Sequence, residues 1–341
     1  MNINYAGKRR FRSGLSLIEV LASIFVLAVG LLGVLSVIPY GMYQLKRAAI
    51  AEYGGNCGRA AKHIVKIRGW DDKIEDGNGN DTYRILDNFV GADQTGNFYK
   101  PQGAPGSEPS LNCGQPIFID PLGVAAENGV EFFHFDDPDI DGDPGPAIYR
   151  TSLKDGGGAL GKREAQTVFT WSEDLVYVRG EQNVRNQRGR TVLEDSAGFP
   201  SSKGDFSWFV TVQPRISPTY TGSGYADVPV SELSGLDFSV VVCYTRTPGD
   251  SDKERVFDIN GFTRYLQGGE IVLTESPDLT GTRFVFLVAT HASGRKTGQW
   301  YRFVPTAGNR LTLIGPPLDA GIPASAYQLV VIQGVVNVFD L

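Results

Sequence analysis

The chain has 341 residues, of which 41% are hydrophobic, and a formal net charge of −6. This apolar content excludes a disordered polymer and is sufficient for a packed core in one or two domains. The first fourteen residues carry four cations and no acid, so the remainder has a net charge of about −10, which argues against general nucleic-acid binding. The 42 glycines and 19 prolines predict a body of loops and strands instead of a helical bundle.

A long apolar stretch near the N-terminus organises the rest of the chain. It runs from Arg12 to Tyr40 and contains one acid, Glu19. From Val20 to Ile38 no residue carries a formal charge, and about twenty apolar residues are what an α-helix needs to cross a bilayer. The stretch therefore predicts a transmembrane helix, which we place at residues 15–40.

The residues before this helix, 1–14, are basic and end in a small residue, Gly14. The positive-inside rule keeps this end in the cytoplasm and predicts that the rest of the chain is exported, as a single-pass protein of the inner membrane. Ordinary secretory signals place the small-residue cleavage site after the apolar core, whereas Gly14 precedes it. Cleavage here would leave the hydrophobic helix attached to the exported chain. The cations of this leader are Lys8, Arg9, Arg10 and Arg12.

The run GLSLIEV, which begins at Gly14, resembles the prepilin motif shared by type IV pilins and the pseudopilins of type II secretion. The family motif is a basic leader, Gly, a hydrophobic residue, Ser or Thr, Leu, Ile and Glu. The resemblance implies that a prepilin peptidase cuts after Gly14 and that Leu15 becomes the N-methylated mature terminus, although the family most often has Phe there. It also implies assembly through the N-terminal helix, with other pilins or pseudopilins, an inner-membrane assembly platform and membrane lipid as partners.

Glu19 is an ionisable residue within the predicted spanning helix. Such a residue costs roughly 2.5–3.5 kcal/mol at the bilayer centre, and less near an edge, so it indicates a function by default. After cleavage, the free α-amino group of Leu15, in the same or a neighbouring subunit, could neutralise the Glu19 carboxylate. That pairing would set the axial register between helices packed side by side. The alternative is an acid at the membrane interface of a plain signal anchor.

Residues 41–69 predict an extracytoplasmic continuation of the helix. We expect Pro39 to kink the helix, Gly54 and Gly55 to weaken it, and Gly69 to end it. Its apolar face is predicted to pack on the globular domain. The apolar positions of this pattern are Leu45, Ala49, Ala60, Ile64 and Ile67.

Residues 70–165 predict a loop-rich region with a few short elements. Within it, Asp137, Asp139 and Asp141 reproduce the D-x-D-x-D-G opening of a calcium loop, in which carboxylates supply hard oxygen ligands. The glutamate that an EF-hand has at position twelve is absent, because Ile148 stands there. A calcium site and a solvated acidic turn are therefore both open.

Residues 166–341 predict a β-rich head, because β-branched and aromatic runs alternate with Gly, Pro and Asp turns. The fold class is thus α+β, with an antiparallel sandwich or roll after the long helix. Asn309 predicts a hairpin turn, and the last strand, which reaches Leu341, is predicted to be tied into a sheet. The predicted strands are TVFTWSEDLVYV, FSWFVTVQP, LDFSVVVCYTR, RFVFLVATH, QWYRFVP, NRLTLIGP and YQLVVIQGVVNVFDL.

Catalytic motifs are absent from the sequence, which predicts a protein that is not an enzyme. The histidines lie far apart without HExxH spacing, and no GxSxG elbow occurs. Three cysteines permit one disulfide in an oxidising compartment, with the pairing open among Cys57, Cys113 and Cys243. Four aromatic residues in strand patterns are predicted to be core in preference to a sugar-binding platform: Trp171, Trp208, Trp300 and Tyr301.

Two functions are open at this stage. The first is a minor pilin or pseudopilin, a structural subunit of a type IV pilus or of a type II secretion pseudopilus. The second is a singly membrane-anchored extracytoplasmic enzyme or binding module. Roughly 270 residues follow Gly69, and a head of that size favours a minor component, because every head in a filament must fit the room its neighbours leave.

Overall fold

The computed structural model describes residues 16–75, 81–83, 98–99, 116–126, 148–155, 158–171, 177–179, 190–192, 205–216, 233–248, 250, 253–292, 295–306, 308–319 and 321–341. The chain divides into two compact units, Met1–Ile50 and Ala51–Leu341. The first described element, helix α1, spans Leu17–Ile67 and belongs in part to each unit.

The elements after α1 follow in chain order. They are β1 (Lys73–Glu75), β2 (Asp81–Tyr83), β3 (Phe98–Tyr99), β4 (Ile117–Ile119), α2 (Pro121–Ala126), β5 (Tyr149–Asp155), β6 (Gly158–Ala159), α3 (Lys162–Phe169), β7 (Tyr177–Arg179), β8 (Arg190–Val192), β9 (Phe206–Ile216), β10 (Leu233–Tyr244), β11 (Glu254–Arg264), β12 (Gly269–Leu273), β13 (Phe284–Thr290), β14 (Lys296–Pro305), β15 (Arg310–Ile314), a 3₁₀ turn (Ala324–Ala326), β16 (Tyr327–Ile332) and β17 (Val335–Asp340).

Helix α1 ends as the sequence predicts. Gly69 adopts a positive φ of 60°, a conformation that costs glycine little because it has no Cβ. The amide of Gly69 donates to the carbonyl of Lys66 at 3.0 Å, and that of Trp70 donates to the carbonyl of Val65 at 3.4 Å. This pair of bonds is a Schellman motif, in which otherwise unpaired helix carbonyls are satisfied. Trp70 and Val65 occupy the two positions that usually make its hydrophobic contact, and both side chains are buried.

A seven-stranded sheet forms the middle of the second unit within the described residues. Its order is β17, β10, β9, β4, β5 and β3, with β6 beside β5. All its pairs are antiparallel except β4 with β5, which is parallel. The region predicted to be loop-rich thus contributes four strands to this sheet, β3 to β6. The final strand β17 pairs with β10, and the amide of Leu341 donates to the carbonyl of Phe238 at 3.0 Å, which confirms the predicted tie.

A closed six-stranded barrel forms the rest of the head, in the order β11, β12, β15, β14, β13 and β16. The prediction of an antiparallel, β-rich head is confirmed, but the prediction of a sandwich or roll is wrong. Two strands that the sequence did not reveal, β11 and β12, close the sheet on itself and remove its edges. The predicted hairpin at Asn309 joins β14 to β15.

Strand β13 is buried on both sides, since it belongs to the barrel and also faces the sheet. Val285 and Leu287 lie in the barrel core, whereas Phe286 and Val288 pack in a second core with Phe209 of the sheet. Successive side chains of a strand point to opposite faces, so one strand can serve both cores. The barrel therefore covers one face of the seven-stranded sheet.

The last turns of α1 cover the opposite face of the sheet. A Cβ added at Gly54 would stand 3.5 Å from Phe206 and from Val336, and both residues belong to the sheet. The packing of this helix on the globular domain is thus confirmed, but the predicted apolar face is wrong, because Ile67 is 84% exposed and Leu45 71% exposed. The buried residues are Gly54, Cys57, Gly58, Ala61 and Val65.

Helix α3 also corrects a prediction. The run TVF, at 167–169, was predicted to begin a strand but ends this helix. The ring of Phe169 lies 4.5 Å from that of Trp208 between centroids, and the Trp208 Nε1 donates to the Val168 carbonyl at 3.1 Å. The apolar residues of this run therefore pack on the sheet from a helix instead of pairing along it.

Candidate assembly segment and buried ionic cluster

The N-terminal half of α1 exposes a continuous apolar surface. Every large aliphatic or aromatic side chain from Leu17 to Ile38 is exposed, by 41% to 79% of its surface. Among the described residues, this helix is the one that is long and apolar enough to cross a membrane, and none of its most apolar window is buried. Exposed apolar surfaces of this extent mark contacts with a membrane or with other proteins.

Glu19 lies in the first turn of α1, where a carboxylate interacts favourably with the helix dipole. Its backbone amide donates to the carbonyl of Ser16 at 3.0 Å, and its own carbonyl accepts from Ser23 Oγ at 2.8 Å. The side chain is exposed, and no basic side chain of the described part of the chain pairs with it. Gly14 and Leu15, the predicted cleavage pair, lie outside the described residues.

The predicted calcium ligands Asp137, Asp139 and Asp141 also lie outside the described residues, so the calcium site stays a prediction. In the ranges that the structure does describe, no group of three or more His, Cys, Asp or Glu side chains converges as metal ligands would. Two of the histidines are described. His63 is exposed on α1, and His291 Nε2 lies 3.0 Å from Thr297 Oγ1.

A buried ionic cluster joins the sheet to the barrel. Asp120 follows β4, Arg150 lies on β5, Arg246 follows β10, and Glu254 begins the barrel strand β11. The four side chains expose 2% or less of their surface. The sequence does not reveal them as a group, because they are separated by up to 134 positions and belong to no recognisable motif.

Arg246 is the centre of this cluster. Its Nη1 donates to Asp120 Oδ1 at 3.0 Å, its Nη2 donates to the other oxygen of Asp120, and its Nε donates to Glu254 Oε1 at 2.8 Å. Arg150 is paired with both acids as well, through a bond to Glu254 and an Nε to Asp120 Oδ2 distance of 3.3 Å. The Arg246 guanidinium also lies 5.0 Å from the centroid of the Phe209 ring.

The electrostatics of the cluster indicate a structural role. Burial by itself would raise the pKa of Asp120, but the guanidiniums of Arg246 and Arg150 more than offset this, so the pKa is lowered. Burial likewise opposes the charge of Arg246, yet Asp120 and Glu254 hold its pKa well above the ordinary value. Near neutral pH Asp120 therefore stays ionised, with its carboxylate paired to Arg246 and Arg150. It cannot serve as a general acid. Its Oδ1 also accepts from the amide of Gly123 at 3.1 Å, which caps α2.

A largely apolar cleft of about 380 Å³ lies between α1, α3 and β9. Cys57, Ile64, Val168, Trp171 and Trp208 are among its lining residues. The expectation that these tryptophans are core is confirmed for Trp208, which is buried, while Trp171 is half-buried. Among the described residues that line the cleft, Arg68 is the one with a charged side chain.

Cys57 and Cys243 are buried thiols on opposite sides of the sheet. Cys57 faces the sheet from α1, whereas Cys243 packs in the core between sheet and barrel. Neither of these two cysteines forms a disulfide, and Cys113 lies outside the described residues. Burial raises the pKa of Cys243 to about 12, so it is protonated at neutral pH and is a poor nucleophile.

The chain was also compared with known proteins. No protein-family model, no curated protein and no solved structure matches it. A function for the chain therefore rests on its own residues and their arrangement.

Proposed function

We propose that this chain is a structural filament subunit, a minor pilin or pseudopilin, that is cleaved after Gly14 and assembles through α1. The supporting observation is the exposed, uncharged surface of α1 beyond Glu19. In the precursor this surface would lie in the inner membrane, with the leader in the cytoplasm and the β-rich head in the periplasm. In the filament it would pack against the helices of other pilins or pseudopilins.

Glu19 has a specific role in this proposal. An isolated carboxylate at the start of an apolar helix needs a cation when the helix leaves water. The α-amino group that cleavage creates at Leu15, four positions before Glu19 in the sequence, would supply that cation. An inner-membrane assembly platform would then move the paired helices from lipid into the filament.

Peptidase dependence tests the proposal directly. The full chain is expressed in cells with and without prepilin peptidase, and the mature N-terminus is determined by mass spectrometry. We expect a chain that begins at Leu15, with or without one added methyl group, only where the peptidase is present. A chain that keeps residues 1–14 in both strains would refute the proposal and favour the alternative, a singly anchored extracytoplasmic enzyme or binding module.

The size of the head supports a minor component of a type IV pilus or a type II secretion pseudopilus. The unit Ala51–Leu341 contains a barrel and a seven-stranded sheet, which is a large volume to repeat at every position of a helical filament. We expect this chain at a small fraction of the most abundant subunit in sheared filaments, near the tip or in the initiating complex. Quantitative mass spectrometry measures the ratio, and a value near one to one would identify a major subunit instead.

A further inference from the structure

We propose that Lys46 and Arg47, flanked by Tyr40 and Tyr43, bind the phosphate headgroups of anionic lipids on the exported side of the membrane. This inference rests on the part of the proposed function in which α1 crosses a bilayer. It adds a lipid-binding site that opposes removal of the helix from the membrane during assembly.

The spacing of charges along α1 fits the thickness of a bilayer. No charged residue occurs from Val20 to Leu45, and Glu19 and Lys46 are the charges that bound this interval. Their separation of 27 positions corresponds to about 40 Å along an α-helix. A bilayer with its headgroup layers is about 40–45 Å thick. When Glu19 lies in the inner headgroup layer, Lys46 and Arg47 therefore reach the outer one.

The side chains at this boundary point towards the membrane. Side chains of an α-helix lean towards its N-terminus, which here is the apolar end. The Arg47 guanidinium accordingly lies 5.6 Å from the centroid of the Tyr43 ring, one turn closer to the bilayer. Tyr40 and Tyr43 are 66% and 56% exposed, and tyrosines are enriched at the level of the headgroups.

The two cations have no carboxylate partner within the described part of the chain. Both are exposed, and the next acid along the helix is Glu52. Because the exported part of the chain is acidic as a whole, its contact with an anionic leaflet depends on local cations. Each Lys or Arg near such a surface contributes roughly a fivefold gain in binding.

Spin-labelled lipids test the site in the full chain reconstituted into phosphatidylcholine vesicles. Electron paramagnetic resonance measures how much spin-labelled phosphatidylglycerol, relative to spin-labelled phosphatidylcholine, is immobilised at the protein surface. The test variant is Lys46→Gln with Arg47→Gln. The matched control, Lys66→Gln with Arg68→Gln, removes the same charge from exposed positions where α1 ends, about 20 residues further from the apolar stretch. Carbonate extraction checks that each variant is inserted.

The relative association constant of this site for phosphatidylglycerol should fall by roughly 25-fold in the test variant, about fivefold for each of the two cations removed, and should stay unchanged in the control. Exchanging the two cations, as Lys46→Arg with Arg47→Lys, should retain the preference, since phosphate binding requires the charges. The cationic leader contributes equally to all these chains. An inserted test variant with undiminished preference would overturn the lipid site alone. A wild-type chain that carbonate extracts would refute both this site and the membrane-spanning part of the proposed function.

Discussion

A Cβ atom on Gly58 would overlap the ring of Phe339, so the backbone of α1 lies directly against this side chain of the edge strand β17. One turn earlier, a Cβ on Gly54 would stand 3.0 Å from Asn337 Nδ2 of the same strand. At these two positions the helix therefore contributes main chain to the contact, and the sheet contributes side chains. Glycine is required at position 58 by lack of space, not by backbone conformation.

This close contact predicts that alanine substitutions at two glycines of α1, Gly58 and Gly55, differ in their effect on stability. Gly58→Ala should make the protein less stable than Gly55→Ala by about 1–3 kcal/mol, the usual cost of overpacking. Both changes gain the same helix propensity, about 0.5–1 kcal/mol, but the nearest atom to a Cβ at Gly55 is 3.9 Å away. Guanidinium unfolding of the full chain in detergent, followed by tryptophan fluorescence, measures the difference. Equal stabilities would show that the Phe339 ring can move aside without cost.

The buried ionic cluster predicts that removing one of its charges lowers the free energy of unfolding strongly. Asp120→Asn should lower the free energy of unfolding by about 3–5 kcal/mol, because it removes a charge partner of the buried Arg246. The control is Asp237→Asn, which breaks an exposed pair with Arg215 whose atoms are 3.1 Å apart. That change should cost less than about 1 kcal/mol. Similar losses in the two variants would contradict a structural role for the cluster.

The lowered pKa of Asp120 predicts a specific acid sensitivity. The folded state binds a proton at this carboxyl more weakly than the unfolded state, for which the ordinary value is 3.8. Its stabilising contribution is therefore complete above about pH 4 and is lost as the pH falls through 3.8 towards the lower folded value. The free energy of unfolding is measured as the pH is lowered from about 5 to about 2. It should fall more steeply for the wild type than for Asp120→Asn. Parallel curves would show that another group causes acid unfolding.

Glu19 predicts a separation between membrane insertion and assembly. Glu19→Ala should insert normally, since it removes a charge from an apolar helix, whereas its incorporation into filaments should fall. Glu52→Ala removes an exposed acid from the same helix beyond the apolar stretch and serves as the control. Sheared filaments and membrane fractions are compared by immunoblot. Normal assembly of Glu19→Ala would remove the proposed register-setting role of the carboxylate.

Local rules explain why the sequence predicts α1 and its end so well. A charge-free apolar stretch and a glycine that adopts a positive φ at Gly69 act within a few residues, so they can be read without the fold. The face that α1 buries could not be read in this way. Sequence patterns rank side chains by hydrophobicity, but Gly54 and Gly58 are buried because they have no side chain, and the more apolar Ile67 is left exposed.

The sequence by itself thus determined the apolar stretch of α1 with its single acid, Glu19, and a head made of antiparallel strands. Only the tertiary structure decided that six strands close into a barrel, because closure depends on pairings between β11 and β16 that lie far apart in the chain. The same holds for Asp120 and Arg246, which are 126 positions apart. A buried charge is tolerated only beside its partners, and a linear pattern does not show which residues the fold brings together.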